Sequence, residues 1–311
     1  MRLAVLVLLS SAVPAALASS FAYVPNEKSG TVSIVDTATD AVVGDIRIGV
    51  KPRGLVVTPD GQWLFVSEQK DGALAAVDLG KRAVVARIPV GASPEGVGMS
   101  ADGRFVAVAS EEANAVVVID AQTRREVFRA KVKGKNPEHP VFSPDGKTIY
   151  VSAEEGGMVD VVDFAERASV TQIPVGDRPR GIGFLPDGSR AYVAAENANT
   201  VYVIDTATRK VVATIKAGVR SNGIAVRPDG KRVYVSNGGD GNVSVIDTGT
   251  NTIIATIPVG KRPWNMSLTP DGAKLYVANG RSNSVSVIDT ASNTRLRDVA
   301  VGELPWGVFV R

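Results

Sequence analysis

Few residue types in this chain of 311 residues carry familiar chemistry. It has no cysteine and a single histidine, His139. Thiolate nucleophiles, disulfides, CxxC redox motifs and sites with several histidine ligands are therefore excluded. The segment 237–242 offers one carboxylate, Asp240, where calcium sites usually combine several oxygen ligands. We expect no bound metal and no cofactor.

One group of residues has the chemistry of an acid–base site. Glu138 and His139 are adjacent, and Arg180 follows one repeat later. They would supply a base, a proton carrier and a cation that holds an anion. No nucleophile-elbow motif accompanies them, and a lone histidine between Pro137 and Pro140 is more often structural. A haem or quinone over the channel, with His139 as the nitrogen ligand, is a further alternative.

Charge and composition indicate a soluble globular protein. Lys and Arg number 35 and Asp and Glu 32, a net charge of +3, and the chain lacks basic runs. We therefore expect no nucleic-acid binding. The hydrophobic fraction of 44% is enough for a packed core.

The N-terminal segment has the pattern of a secretory signal. One arginine precedes an apolar stretch from Leu3 to about Val13, and small residues follow near Ala18. We predict that residues 1–18 are a cleaved signal peptide and that 19–311 form one periplasmic or secreted domain. The apolar stretch is shorter than the roughly 20 residues that span a bilayer, and no later segment reaches that length, so no membrane span is expected after cleavage.

The elements that position the candidate residues come from a sevenfold repeat. A run similar to V-S-V-I-D-T recurs along the chain, and its aspartate falls at positions 36, 78, 120, 163, 205, 247 and 289. The spacing is 42 residues, except for 43 between Asp120 and Asp163. These aspartates resemble a ring of metal ligands. Each one, however, precedes turn residues whose backbone N–H groups can donate hydrogen bonds to its carboxylate. A structural role is therefore expected.

Each repeat contains four short β-rich segments and no helical period. In one unit, residues 223–227 precede a Pro-Asp-Gly turn, 233–236 follow it, and 243–247 and 252–259 complete the set. Four strands per unit predict an all-β, seven-bladed β-propeller. The chain begins in the second strand of a unit and ends in the first, so the C-terminal strand should pair with the N-terminal three and close the ring.

The loops between blades place one variable residue each around the central channel. They read GVKPRG, GASPEG, GKNPEH, GDRPRG, GVRSNG, GKRPWN and GELPWG. We expect their fifth residues to ring the channel on one face, here called the top. His139 and Asn265 replace the glycine that ends the other loops. The predicted ligand- or partner-binding residues are Arg53, Glu95, Glu138, His139, Arg180, Asn222, Trp264, Asn265 and Trp306.

Charges on the top face should be polarised. We expect acid over the middle blades and a basic arc near Arg180 to Arg262 and Arg53. The glutamates assigned to the loops between second and third strands are Glu27, Glu68, Glu111, Glu112, Glu154, Glu155 and Glu196, with few acids in the last two units. The basic residues of the loops between blades are Lys51, Arg53, Arg178, Arg180, Arg220, Lys261 and Arg262. Such a face steers a charged partner or an anionic ligand. Trp264 and Trp306 lie next to the basic arc, and tryptophan is enriched where binding energy concentrates. Packing against their own loops is the alternative.

The repeat motifs resemble a known family. Residues 276–279, Tyr-Val-Ala-Asn, and 285–290, Val-Ser-Val-Ile-Asp-Thr, look like the YVTN family of β-propeller repeats, and the resemblance covers 21–311. A secreted chain of this length with seven repeats also resembles the β-propeller proteins associated with pyrroloquinoline quinone (PQQ) dependent alcohol catabolism. That resemblance implies an accessory role beside a quinoprotein dehydrogenase or a c-type cytochrome, with no catalytic residue to carry over.

Two functions follow from these observations. The first is a non-catalytic, monomeric binding or scaffold module outside the cytoplasm that holds a protein partner on its top face. The second is a lactonase- or lyase-like propeller enzyme that acts on a small anionic substrate over the channel, with Glu138, His139 and Arg180 as its catalytic residues.

Overall fold

The predicted propeller is confirmed by the fold. The computed structural model describes residues 20–311, which form seven four-stranded antiparallel blades. The predicted signal peptide lies outside the described residues. Within the described part, no helix is long and apolar enough to cross a membrane.

The strands of blades 2 to 7 run from the channel outward in chain order, and the innermost strand of blade 1 is the last strand of the chain. Blade 1 contains β1 (Phe21–Asn26), β2 (Thr31–Asp36) and β3 (Ala41–Arg47), together with the last strand, β28 (Phe309–Val310). Blade 2 contains β4 (Pro52–Val57), β5 (Trp63–Glu68), β6 (Ala73–Asp78) and β7 (Ala83–Pro89). Blade 3 contains β8 (Pro94–Met99), β9 (Phe105–Ser110), β10 (Ala115–Asp120) and β11 (Arg125–Lys131). Blade 4 contains β12 (Lys135–Phe142), β13 (Thr148–Glu155), β14 (Met158–Asp163) and β15 (Ala168–Pro174).

The remaining blades repeat the pattern. Blade 5 contains β16 (Pro179–Phe184), β17 (Arg190–Ala195), β18 (Thr200–Asp205) and β19 (Lys210–Lys216). Blade 6 contains β20 (Ser221–Val226), β21 (Arg232–Asn237), β22 (Asn242–Asp247) and β23 (Thr252–Pro258). Blade 7 contains β24 (Pro263–Leu268), β25 (Lys274–Asn279), β26 (Ser284–Asp289) and β27 (Thr294–Ala300).

Pairing between the two chain ends closes the ring, as predicted. Strand β28 lies antiparallel to β1, with Ala22 opposite Val310 and Tyr23 opposite Phe309. The Phe21 N–H donates to the Arg311 carbonyl at 2.7 Å, and the Arg311 N–H donates back at 2.9 Å. Blade 1 therefore combines residues from both ends of the chain.

The repeated aspartates have the structural role that the sequence predicts. The Asp205 carboxylate accepts the Thr208 backbone N–H at 2.8 Å, which fixes the turn after the third strand. In the Pro-Asp-Gly turns, Asp60 accepts the Gln62 N–H at 3.0 Å, and Gly61 supplies a φ of +70°. These bonds recur through the blades, so the carboxylates are committed to turns.

The hydrophobic core consists of layers between neighbouring blades. Ile34 of blade 1, for example, packs in one cluster with Leu64 and Val66 of blade 2. The largest fully buried side chains include the tyrosines of four consecutive second strands, which are Tyr150, Tyr192, Tyr234 and Tyr276. Each blade needs its neighbours to bury both faces.

Every outermost strand carries the same β-bulge. In blade 1, Ile34 pairs with Gly44 and Val35 pairs with Val42, which leaves Val43 without an opposite residue. The six other blades show the register shift at the equivalent place. Such a bulge bends its strand and increases the local twist.

A side-chain clamp joins the last blade to the first. Lys274 Nζ of β25 lies 2.8 Å from the Asp40 carboxylate, and the Tyr276 hydroxyl donates to the same carboxylate. Tyr192 makes the corresponding contact with Asn251 at 3.0 Å between blades 5 and 6. Of these two junctions, the one between blades 7 and 1 therefore contains an ion pair and the other does not.

This clamp leads to a stability prediction. Asp40 has a φ of +52°, which asparagine tolerates, so Asp40→Asn removes the charge without new backbone strain. It leaves Lys274 with an uncompensated charge, and we expect the free energy of unfolding to fall by about 2 kcal/mol in urea denaturation. The Asp40→Asn/Lys274→Met pair should cost less than the sum of the two single changes. Additive losses would contradict the clamp.

Candidate functional site

Six of the seven residues predicted to ring the channel lie at a bulge in the inner strand of their blade, and Trp306 lies in the loop before β28. In blade 2, Pro52 pairs with Glu68 and Leu55 pairs with Val66, so Arg53 and the residue after it oppose a single residue. The inner strands of blades 3 to 7 shift at the corresponding step. The bulge breaks the strand alternation and presents these residues at the top of the channel.

Glycine follows most ring residues because the inner strands approach one another closely at the axis. A Cβ at Gly54 would lie 2.6 Å from the Glu95 carbonyl oxygen, and one at Gly181 would lie 2.6 Å from the Asn222 carbonyl oxygen. His139 and Asn265 are the two exceptions, and both line the central channel below the ring. The variation at these positions therefore places two side chains in the central channel.

Six of the seven ring residues surround one small cavity at the channel mouth. The cavity has a volume of about 80 Å³. It is lined by Arg53, Glu138, Arg180, Asn222, Trp264 and Trp306, together with Glu27 and Asn265. Glu95, the seventh ring residue, is buried and bound to Arg53. Sequence spacing therefore correctly predicted that these residues lie together at the channel mouth. Their function remains a prediction.

Arg53 joins the ring to the hairpin loop of blade 1. Its Nη1 lies 2.5 Å from the Glu95 carboxylate, and its Nε lies 3.3 Å from the Glu27 carboxylate. Burial and the nearby Glu138 carboxylate raise the pKa of Glu95 to about 8, although Arg53 opposes this shift. The Glu95 and Glu138 carboxylates belong to neighbouring blades, and the negative charge of Glu138 disfavours ionisation of Glu95.

Arg180 is the centre of a larger ion-pair network. Its Nη1 lies 2.8 Å from Glu138 and also contacts Glu154, and its Nε lies 3.3 Å from Glu196. Arg262 of blade 7 reaches the same Glu196 carboxylate at 2.7 Å. Burial alone would raise the pKa of Glu138, but the Arg180 guanidinium holds it below its usual value. This carboxylate is therefore ionised and already paired.

His139 packs against Trp306 on the far side of the channel. Its ring stacks on Trp306, with centroids 5.4 Å apart and planes 12° apart, and neither ring nitrogen has a hydrogen-bond partner among the described residues. Burial lowers the pKa of His139 to about 4, although Glu138 favours the charged form. The imidazole is therefore neutral at physiological pH.

His139 should make stability depend on pH. The folded pKa lies below the unfolded value of about 6.5, so the unfolded chain binds the proton more tightly and stability is lost as pH falls from about 6.5 to 4. The contribution is of the order of 3 kcal/mol. His139→Phe keeps a ring against Trp306 and removes this contribution. Urea denaturation across the range should show a shallower loss for the variant, and parallel curves would contradict the prediction.

The two ring tryptophans differ in setting. Trp306 is 9% exposed, and the His139 ring stacks on it. Trp264 is half-buried, and its ring lies over Gly280, where a Cβ would come within 2.6 Å. Only Trp264 is therefore open to a partner at the surface. Asn222 is 3% exposed, and its Nδ2 lacks a partner among the described residues.

The expected polarity of the top face needs correction at Arg53, Arg178 and Arg262. Several of its arginines are paired with its glutamates, because the hairpin loops place one acid beside each of these inter-blade loops. Sequence reasoning noted Glu154 and Glu196 but did not place them against Arg180. It also assigned Glu68 to a loop, whereas this residue ends β5, is fully buried and contacts Arg87 Nε at 3.0 Å.

The three catalytic candidates do come together. Glu138 lies in contact with Arg180, and His139 is the next residue along the same strand. However, Glu138, the candidate base, is already paired with Arg180, the candidate anion-binding residue, and both ring nitrogens of His139 are buried. Within residues 20–311, no group of three or more metal-ligating side chains has the arrangement of a metal site.

The family follows from a comparison with family models. Residues 4–311 match the model described as YNCE-like beta-propeller. The chain belongs to this family. No curated protein matches this YNCE-like propeller significantly, and the narrower resemblance to the PQQ-associated propellers stays a prediction.

Solved structures share the propeller fold. A chain of the Kuenenia stuttgartiensis hydrazine synthase is 28% identical with a TM-score of 0.80, and the match covers 86% of this chain and 92% of that one. A functionally unknown protein from Desulfotomaculum acetoxidans is 18% identical with a TM-score of 0.83, over 93% and 98%. The dihydro-heme d1 dehydrogenase NirN is 19% identical with a TM-score of 0.67, over 90% and 63%.

Proposed function

We propose that this YNCE-like propeller is a non-catalytic binding module outside the cytoplasm. It holds a protein partner on its top face and is accessory to PQQ-dependent alcohol oxidation, beside a quinoprotein dehydrogenase or a c-type cytochrome. The observation that carries the proposal is the ion-pair network around Arg180, which binds three glutamates. A network of this kind makes the surface rigid and largely charge-compensated, so a partner can bind with little rearrangement of the side chains.

The comparison with hydrazine synthase places a propeller of similar extent within an enzyme structure. The matched chain in that structure is covered over 92% of its length by this propeller. The accessory role proposed for this chain does not rest on that comparison. The PQQ context itself rests on the resemblance of the repeats.

The alternative is a lactonase- or lyase-like enzyme acting on a small anion over the channel. It is favoured by the contact between Glu138 and Arg180 beside His139, and by the unpartnered Asn222 amide at the 80 Å³ cavity. It requires Arg180 to exchange a glutamate for the substrate. That exchange separates a buried guanidinium from its counter-charges, which costs several kcal/mol.

Binding to purified proteins tests the proposal. The mature propeller is titrated by calorimetry into a quinoprotein alcohol dehydrogenase and, separately, into its c-type cytochrome, as wild type and as Trp264→Ala. We expect one stoichiometric complex, weakened at least about tenfold by the substitution, as for an interface hot spot. Trp63→Ala is the control, because its half-buried ring lies beneath Arg124 away from the channel mouth.

One result would overturn this proposal in favour of the enzyme. In that result, neither the dehydrogenase nor the cytochrome would bind the propeller. Lactones or small carboxylates would raise the melting temperature of the propeller, and His139→Phe would abolish turnover of the same compounds.

A further inference from the structure

One position in the hairpin loop between the second and third strands sets the local charge of the top face. Four of its seven occupants are glutamates and one is glutamine, whereas blades 6 and 7 have glycine. In blade order the residues are Glu27, Gln69, Glu111, Glu154, Glu196, Gly238 and Gly280. The glutamates of blades 1, 4 and 5 pair with arginines. Blades 6 and 7 therefore lack the acid that would compensate their basic loops.

A basic cleft occupies the sector where these acids are missing. It lies between the top loops of blades 6 and 7, with a volume of about 610 Å³. Its cations are Arg220, Lys261, Arg262 and Arg281, and its only acid is Asp240. Arg220, Lys261 and Arg281 are exposed and form no ion pair with any residue in 20–311. Asp240 accepts the Val219 N–H at 2.7 Å.

The equivalent cleft between blades 2 and 3 has a different charge. It contains Lys51 and Lys70, but also Asp71 and Glu112, so its formal charges cancel. The blade 6–7 cleft has a formal charge of +3, and +2 remains after Arg262 is set against Glu196. The difference comes from side chains on the same backbone scaffold.

Apolar surface borders the basic cleft. Val219 is 49% exposed beside Arg220, and half-buried Trp264 lies over Gly280 with the Arg262 guanidinium 6.0 Å from its ring. Arginine and tryptophan together are the residue types that concentrate binding energy at protein interfaces. The cleft thus combines unpaired cations with an aromatic edge.

We propose that the blade 6–7 cleft is the docking surface for an acidic segment of a protein partner. The inference rests on the proposed function and deepens it by naming the sector and the chemistry of the partner. Aspartate and glutamate side chains of the partner would replace the missing acids beside Arg220, Lys261 and Arg281. Complementary charge of this kind raises the association rate and selects the correct partner.

A peptide of defined chemistry tests the cleft directly. Fluorescently labelled poly-L-glutamate is titrated with wild type, with Arg220→Glu/Arg281→Glu, and with the control Lys51→Glu/Lys70→Glu. The control carries the same charge change in the equivalent cleft, and Lys51 and Arg220 share a loop position with φ of +56° and +57°. We expect the first variant to weaken binding at least about tenfold and the control to change it less than about twofold. Binding should also weaken as salt is added.

Three outcomes would overturn the inference. Equal losses in the two variants would mean that net charge alone attracts the peptide. Binding of inorganic polyphosphate as tight as that of poly-L-glutamate, with the same loss in the first variant, would indicate a general polyanion site. A complex with the quinoprotein dehydrogenase or cytochrome that survives Arg220→Glu/Arg281→Glu would refute this cleft while leaving the proposed function intact.

Discussion

Removal of residues 307–311 should abolish the folded state. Val308 and Val310 are 7% and 6% exposed and belong to the cluster between blades 7 and 1, whereas Phe309 packs against the clusters between blades 1 and 2 and between blades 2 and 3. Burial of three such side chains contributes about 5–8 kcal/mol, which is comparable with the whole stability of a typical domain. We expect loss of the cooperative thermal transition in calorimetry, together with aggregation, because β1 would become an open edge.

A circular permutant is the control for this truncation. It joins Arg311 to Ser20 through a short linker and opens the exposed turn at Gly80 and Lys81, so it keeps every strand. The permutant should melt cooperatively near the wild-type temperature. A truncated chain that also melted cooperatively, at a temperature only a few degrees lower, would show that β28 does not close the ring.

Arg180→Met should be the most damaging single substitution at the channel mouth. It leaves Glu138 and Glu196, which are 3% and 2% exposed, without the guanidinium between them. Removing one partner from a buried ion pair typically costs about 3–5 kcal/mol. Urea denaturation at neutral pH should show this loss.

Arg178→Met is the matched comparison. Arg178 contacts Glu154 and Glu196 at 3.2 and 3.3 Å, but its side chain is 41% exposed. We expect it to cost no more than about 1 kcal/mol, as for solvent-screened pairs. The Arg180→Met/Glu138→Gln variant should recover part of the loss, because one buried charge is gone. Equal costs for the two methionine variants would contradict the network.

The period of the sequence predicted most of the fold. Seven copies of a four-stranded unit and the offset between the chain ends were enough to predict the blade number and the closure by β28. The bulges in the inner strands have no equally direct signal, because they depend on how closely Gly54, Gly181 and their equivalents approach at the axis. The ring positions were still found, since the bulge repeats in register with the loops.

The chemistry of the ring was less predictable. Repeat spacing brings Arg180 near Glu138, but it does not show that Glu154 and Glu196 reach the same guanidinium from the hairpins of blades 4 and 5. Burial lowers the pKa of His139, and its stacking partner Trp306 is 167 positions away in the chain and lies beside it only after closure. Interactions that depend on ring closure cannot be read from one repeat.

The bulges of the outer strands have a consequence for the behaviour of the protein in solution. Seven unpaired strand edges face outward, and exposed Val43, Ile254 and Leu296 are apolar residues of the kind that promote pairing with another chain. A regular edge of this length would be a template for intermolecular sheets. The bulge at each edge breaks the hydrogen-bonding ladder that a second copy would need. We therefore expect these bulges to oppose the edge-to-edge joining of propellers into fibrils.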